Sequence, residues 1–94
     1  MTLLVEAAVS TAWVVEMACV AARLAFGALP ASMTDDHAPG PSHPAFRRAA
    51  RAGLDGAHEG LLAAIVAMPR EDRRAAADTA LDTLVGFLGL AGPL

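Results

Sequence analysis

The N-terminal stretch from Met1 to Leu29, MTLLVEAAVSTAWVVEMACVAARLAFGAL, has only three charged residues, Glu6, Glu16 and Arg23. In helical form this stretch is apolar on nearly every side, and the side that carries Glu16 and Arg23 also carries bulky apolar residues. A helix of this kind is normally buried in a protein or in a membrane. We therefore predict a central helix over about residues 2–28, against which the rest of the chain packs.

A membrane is the less favoured environment for this helix. Its longest uncharged run, Ala7 to Val15, is far shorter than the roughly 18 residues of a typical span. Glu16 would lie in mid-span at a cost of about 2.5 to 3.5 kcal/mol, and no basic segment precedes the apolar run as in a signal peptide. The single cysteine, Cys19, excludes a disulfide within the chain and fits a reducing compartment, so we expect a cytoplasmic protein.

The composition holds more apolar material than a chain of 94 residues can bury. Hydrophobic residues make up 55% and charged residues 18%, and a chain of this size buries only about 60 to 65% of its unfolded surface. The surplus must face something other than water, with a partner chain as the first expectation and a membrane as the second. We therefore expect an obligate homo-oligomer, a dimer first of all, or a subunit of a larger protein complex. The net charge of −3 offers no basic surface for nucleic acid, so no nucleic acid partner is expected.

Prolines divide the rest of the chain into a long loop, residues 30–43, and two further helices. Pro44 suits the first helical position, with Ser42 or His43 as the cap. The sequence predicts one all-α domain over residues 1–94, with helices at about 2–28, 44–68 and 70–91. The second and third helices should form an antiparallel hairpin, and oligomerisation should combine the chains into a larger helical bundle. The hairpin would place Arg47, Arg48 and Arg51 beside the uncharged end of the third helix, where we expect them to be solvated.

Small residues line one side of the second predicted helix, and three of them are glycines at positions 53, 56 and 60. Each glycine costs about 0.5 to 1 kcal/mol relative to alanine inside a helix, so close approach of another helix should offset the loss. We expect one continuous helix here; the alternative is a break between Gly53 and Gly56. The residues predicted to form interfaces are Trp13, Ala49, Gly53, Gly56, Gly60, Phe87, Leu88 and Leu90.

One spacing favours metal chemistry, because Asp55 and His58 are three residues apart and share one side of a helix. Carboxylate-bridged di-iron bundles use two such pairs together with further carboxylates. A homodimer could supply that set as Glu16, Asp55 and His58 from each chain. The competing interpretation is a surface Asp–His pair and a glutamate paired with arginine. The acidic and histidine residues of the 30–43 loop could also bind a divalent cation. The competing explanation is that they form turns and cap the next helix.

Few polar groups able to perform chemistry accompany the apolar excess. We therefore predict a non-enzymatic interaction or assembly protein, such as an accessory, scaffold or regulatory subunit, that needs no cofactor and acts through apolar helix faces. The alternative is a homodimeric bundle that holds iron or another divalent metal and has oxidase or metal-storage activity. A peripheral membrane-associated helical protein is the second alternative.

Overall fold

The computed structural model describes the backbone of residues 2–35, 37, 40 and 42–90, and the side chains of the same residues except 2–7, 88 and 90. Four helices follow one another: α1 (Thr2–Phe26), α2 (Ala31–Thr34), α3 (Pro44–Ala67) and α4 (Arg70–Leu90). The described part of the chain contains no strand, so the predicted all-α class is confirmed. α1 packs against both α3 and α4, α3 packs against α4, and the short α2 packs against α3.

α1 ends two residues earlier than predicted, because Gly27 takes the left-handed conformation with φ 81°. Its backbone N–H donates to the carbonyl of Arg23 at 2.8 Å, which closes the last turn. Glycine adopts a positive φ without a Cβ penalty, so Gly27 ends the helix before Pro30 can. Beyond Gly27, α2 adds one helical turn that the sequence did not predict, and its Met33 is buried.

The connection between α2 and α3 is held by Arg47, which is only 3% exposed. Its guanidinium donates to three backbone carbonyls: Nε to Ser42 at 3.1 Å, one terminal nitrogen to Asp35 at 2.7 Å and the other to Gly40 at 2.9 Å. A buried cation is tolerated when hydrogen bonds replace its water. The expectation of a solvated Arg47 is therefore wrong, and the arginine instead ties the loop to the start of α3.

His43 caps α3, as the sequence predicted, since its Nδ1 accepts a hydrogen bond from the backbone N–H of Ala45 at 3.0 Å. Pro44 occupies the first turn. Earlier in the loop, the Asp35 carboxylate accepts from the backbone N–H of His37 at 2.9 Å. These hydrogen bonds are the turn and capping chemistry that the sequence offered as the alternative to a cation site.

α3 is bent sharply at Gly56 and Ala57, where the backbone leaves helical geometry. Gly56 has φ −128° and ψ 17°, and Ala57 has φ 54° and ψ −150°. The expectation of one continuous helix is therefore wrong, and the alternative of a break next to these glycines is what the structure contains.

The two halves of α3 approach each other closely across the bend. A straight helix separates residues eight apart by about 12 Å. A Cβ built on Gly53 would nevertheless lie 3.0 Å from Leu61 Cδ1, and one built on Gly60 would lie 2.7 Å from the carbonyl oxygen of Ala52. The glycines are thus explained by close packing, but of the second helix against itself rather than against a different helix.

The bend also corrects the predicted surroundings of the remaining arginines. Arg48, near the start of α3, forms an ion pair at 3.2 Å with Asp72, which lies in the first turn of α4. Arg51 pairs with Asp55 one turn later at 3.3 Å. The start of α3 therefore lies beside the charged start of α4 and not beside its uncharged end, because α3 does not continue straight.

The core is built largely from small side chains. Nine of the sixteen buried apolar residues described are alanine, and the largest fully buried side chains are Phe46, Ile65 and Val15. Alanine allows helix backbones to approach closely, but each alanine removes little apolar surface from water. Many of the larger apolar side chains are therefore exposed, and several of them lie on α1.

Candidate functional site

A row of large apolar side chains runs along the outside of α1. We call it the α1 stripe, and its members are Val9, Trp13, Met17, Val20 and Leu24. The intervals of four, four, three and four residues place them on one face of the helix. All five are exposed, Trp13 by 62% and Leu24 by 83%. Soluble proteins rarely leave such a continuous apolar surface without a partner.

The opposite face of α1 carries small residues and is buried. Ala8, Ala12, Ala18 and Ala22 have no exposed surface, and Val15 is buried among them. The two faces of α1 therefore differ in side-chain size more than in polarity. The small face packs against α3 and α4, because it lets their backbones come close, and the bulky residues are left outside.

Two charged residues, Glu16 and Arg23, flank the α1 stripe on one side. They are seven residues apart and so lie on the same edge of the helix. Oε1 of Glu16 contacts Nδ1 of His58, which follows directly after the bend of α3. The side chain of Arg23 is exposed, and no ion-pair partner for it occurs among the residues described. One edge of the stripe thus carries the Glu16 carboxylate, which is held by His58, and the exposed guanidinium of Arg23.

A groove of about 280 Å³ lies beside this edge, between α1 and the bent part of α3. Its walls include Cys19, Arg23, Leu54, His58 and Leu61. Burial raises the pKa of the Cys19 thiol from 9.0 to about 11, with Arg23 opposing and Glu16 adding to the increase. The thiol is therefore protonated near neutral pH, and it lacks the thiolate character of a nucleophilic cysteine.

The predicted metal ligands are only partly brought together. Glu16 and His58 are in contact within one chain, whereas Asp55 pairs with Arg51. Among the residues whose side chains are described (8–35, 37, 40, 42–87 and 89), no group of three or more potential ligands converges. The pairing of Glu16 with His58 is nearer to the competing interpretation of surface ion pairs, although the partner is a histidine rather than an arginine.

The predicted interface residues have different positions. Trp13 is exposed on the α1 stripe, but Ala49 is fully buried and Gly53 and Gly60 pack within α3. Gly56 lies in the bend, and a Cβ added there would meet nothing within 4 Å. Phe87 is half-buried against Phe26, with ring centroids 5.8 Å apart. The side chains of Leu88 and Leu90 lie outside the described set.

Four residues of the α1 stripe were not among the predicted interface residues: Val9, Met17, Val20 and Leu24. Their spacing was visible in the sequence as a seam with intervals of three and four. It could not be recognised as an outer face, because apolar residues cover the other sides of α1 as well. Only the packing of α1 shows which side faces outwards.

Comparisons of the chain with protein-family models, curated proteins and solved structures find no match. Among the described residues one segment, Ala8–Phe26, has the length and composition of a membrane span, with a mean hydropathy of 1.5 over 19 residues. A mostly buried core helix of a soluble protein and an N-terminal signal sequence both pass the same test, and 28% of this window is buried, so this property does not identify a function.

Proposed function

We propose that this protein is a non-enzymatic assembly protein that associates with a second copy of itself through the α1 stripe. The observation that carries the proposal is the row of five exposed apolar residues on the face of α1 opposite its buried alanines. The row extends over about four helical turns of α1. Burying large apolar side chains is the main source of free energy in protein association.

The pattern of the stripe favours a helix over a lipid surface as its partner. Intervals of three and four residues are those of a helix-to-helix seam. A membrane-surface helix generally has a polar face rich in lysine and arginine, but the face of α1 opposite the stripe is made of buried alanines. The flanking charges, Glu16 and Arg23, are of opposite sign and so suit a protein partner with complementary charges.

Light scattering on a size-exclusion column without detergent tests the proposal. The wild type should elute with twice the 9.6 kDa mass of one chain. Leu24→Glu should produce a folded monomer, because Leu24 is 83% exposed and a charge there disturbs only the stripe. The matched control is Leu81→Glu, which adds the same charge at a half-exposed leucine of α4 outside the stripe and should leave the dimer intact.

A monomeric wild type, or a Leu24→Glu variant that still forms the dimer with normal helical circular dichroism, would contradict self-association. Flotation of the wild type with phosphatidylcholine–phosphatidylglycerol vesicles, abolished by Leu24→Glu but not by Leu81→Glu, would assign the stripe to a membrane if the protein is monomeric in solution.

A further inference from the structure

The spacing and charges of α1 define how the two copies meet. Resting on the self-association proposed above, we infer that α1 packs antiparallel to α1 of the second copy about a two-fold axis. In this arrangement Trp13 lies against the partner's Leu24, and Met17 lies against the partner's Val20. Glu16 then faces the partner's Arg23, and each contact occurs twice by symmetry.

One register satisfies both apolar contacts. In two antiparallel helices, a pair of residues meets when both are equally far from the two-fold axis. The midpoint of Trp13 and Leu24 along α1 lies between residues 18 and 19, and the midpoint of Met17 and Val20 is the same. The four side chains therefore form four consecutive layers around one axis, with a bulky residue of each chain in every layer. All four are exposed in the single chain and available for this packing.

The register set by the apolar contacts also brings Glu16 close to the partner's Arg23. Glu16 and Arg23 are centred between residues 19 and 20, one residue or about 1.5 Å along the axis from the centre of the layers. They lie on the same edge of α1, so an antiparallel neighbour places Glu16 across from the partner's Arg23. In a parallel dimer, Glu16 would instead flank the partner's Ala21, and no opposite charge would face either residue. The charge pattern thus selects the antiparallel orientation.

The contact with His58 prepares Glu16 for this role. Oε1 of Glu16 is held by His58, which limits the freedom of the side chain. A carboxylate can accept several hydrogen bonds, so its other oxygen is available to a guanidinium. Less side-chain entropy is then lost when the intermolecular pair forms. Arg23, exposed beside the stripe, supplies the complementary charge.

A charge exchange tests the register. Glu16→Arg and Arg23→Glu should each weaken dimerisation about tenfold, since each places like charges together at both symmetry-related pairs. The double variant restores two opposite-charge pairs and should bring the dissociation constant back to within about threefold of the wild-type value. Because the double variant also lacks the Glu16–His58 contact, recovery cannot be attributed to that contact. Sedimentation equilibrium measures the dissociation constants of the wild type, the two single variants and the double variant. Low ionic strength is used because screening of the charges is weakest there.

A distance measurement tests the orientation independently. Nitroxide labels on Ser10→Cys, in a Cys19→Ala background, would be separated by about 25 Å along the antiparallel helix axes. In a parallel dimer they would be separated by little more than the interaxial distance of about 8 to 10 Å. Electron–electron double resonance detects the longer distance, and dipolar broadening of the continuous-wave spectrum detects the shorter one.

The outcomes separate the two proposals. Recovery in the double variant together with the long label distance supports the antiparallel register. No recovery, or a short label distance, in a dimer that Leu24→Glu still dissociates would overturn the register and leave self-association standing. A wild type that is monomeric at every concentration would overturn both.

Discussion

Raising the pH from 8.5 to 11.5 should destabilise this protein through one side chain, Cys19. The chain has no lysine and no tyrosine, and arginine keeps its charge in this range. Burial raises the pKa of the Cys19 thiol from 9.0 to about 11, so the folded state holds its proton more tightly than the unfolded state does. The resulting stabilisation is fully present below pH 9 and is lost as the pH rises through about 11.

The size of the effect follows from the pKa difference. Two pKa units correspond to about 3 kcal/mol, and nearly all of this is lost by pH 11.5. We therefore expect the free energy of unfolding to fall by about 2 to 3 kcal/mol across the range. For a domain whose total stability is about 5 to 14 kcal/mol, this is a large fraction.

Urea denaturation followed by circular dichroism at a single protein concentration provides the measurement. Cys19→Ala is the matched control, since it removes the titrating group and should show no comparable fall. Thiolate absorbance in the ultraviolet should titrate near pH 11 in the native protein and near pH 9 in denaturant. An equal loss of stability in wild type and Cys19→Ala, or a native thiol that titrates near pH 9, would refute the reasoning.

The close packing and the backbone strain at the bend of α3 can each be tested by one substitution with a matched control. Gly60→Ala should lower the free energy of unfolding by about 1 to 3 kcal/mol, because the new Cβ would lie 2.7 Å from the carbonyl oxygen of Ala52. Gly86→Ala, where nothing lies within 4 Å, should raise it by about 0.5 to 1 kcal/mol. Ala57→Gly should raise it by about 1 kcal/mol, since Ala57 has φ 54° and glycine accepts that conformation without strain. Ala63→Gly, at a regular exposed position of the same helix, should lower it by about the same amount. Urea denaturation measures the free energy of unfolding of all four variants. If Gly60→Ala and Gly86→Ala changed it in the same direction, the close approach at Gly60 would be contradicted. If Ala57→Gly and Ala63→Gly changed it in the same direction, the strain at Ala57 would be contradicted.

Local signals were sufficient to place most helix ends. Pro44 and Pro69 mark the boundaries of the second and third predicted helices, and α3 and α4 begin within a residue of the prediction. The cap at His43 was likewise visible, because capping depends on residues close in sequence. Gly27 is a local signal as well, and its positive φ ends α1 before Pro30 does.

From the sequence, the bend of α3 is only the alternative to one continuous helix. Its glycines favour a break, but the residue with the left-handed φ is Ala57, for which local preference gives no indication. Packing between the two halves of α3 compensates for that local cost. The ion pair of Arg48 with Asp72 was unpredictable for the same reason, because it depends on where the chain is redirected.

The all-α class, the approximate helix boundaries and the excess of apolar residues can be read from the sequence. These depend on periodicity, on proline and glycine signals and on composition, all of which are local or additive. Packing, in contrast, selects which face of α1 is buried and which is the α1 stripe, because an almost wholly apolar helix carries no polarity to orient it. The orientation follows from side-chain size: the alanines admit the neighbouring backbones, and Trp13, Met17 and Leu24 remain outside.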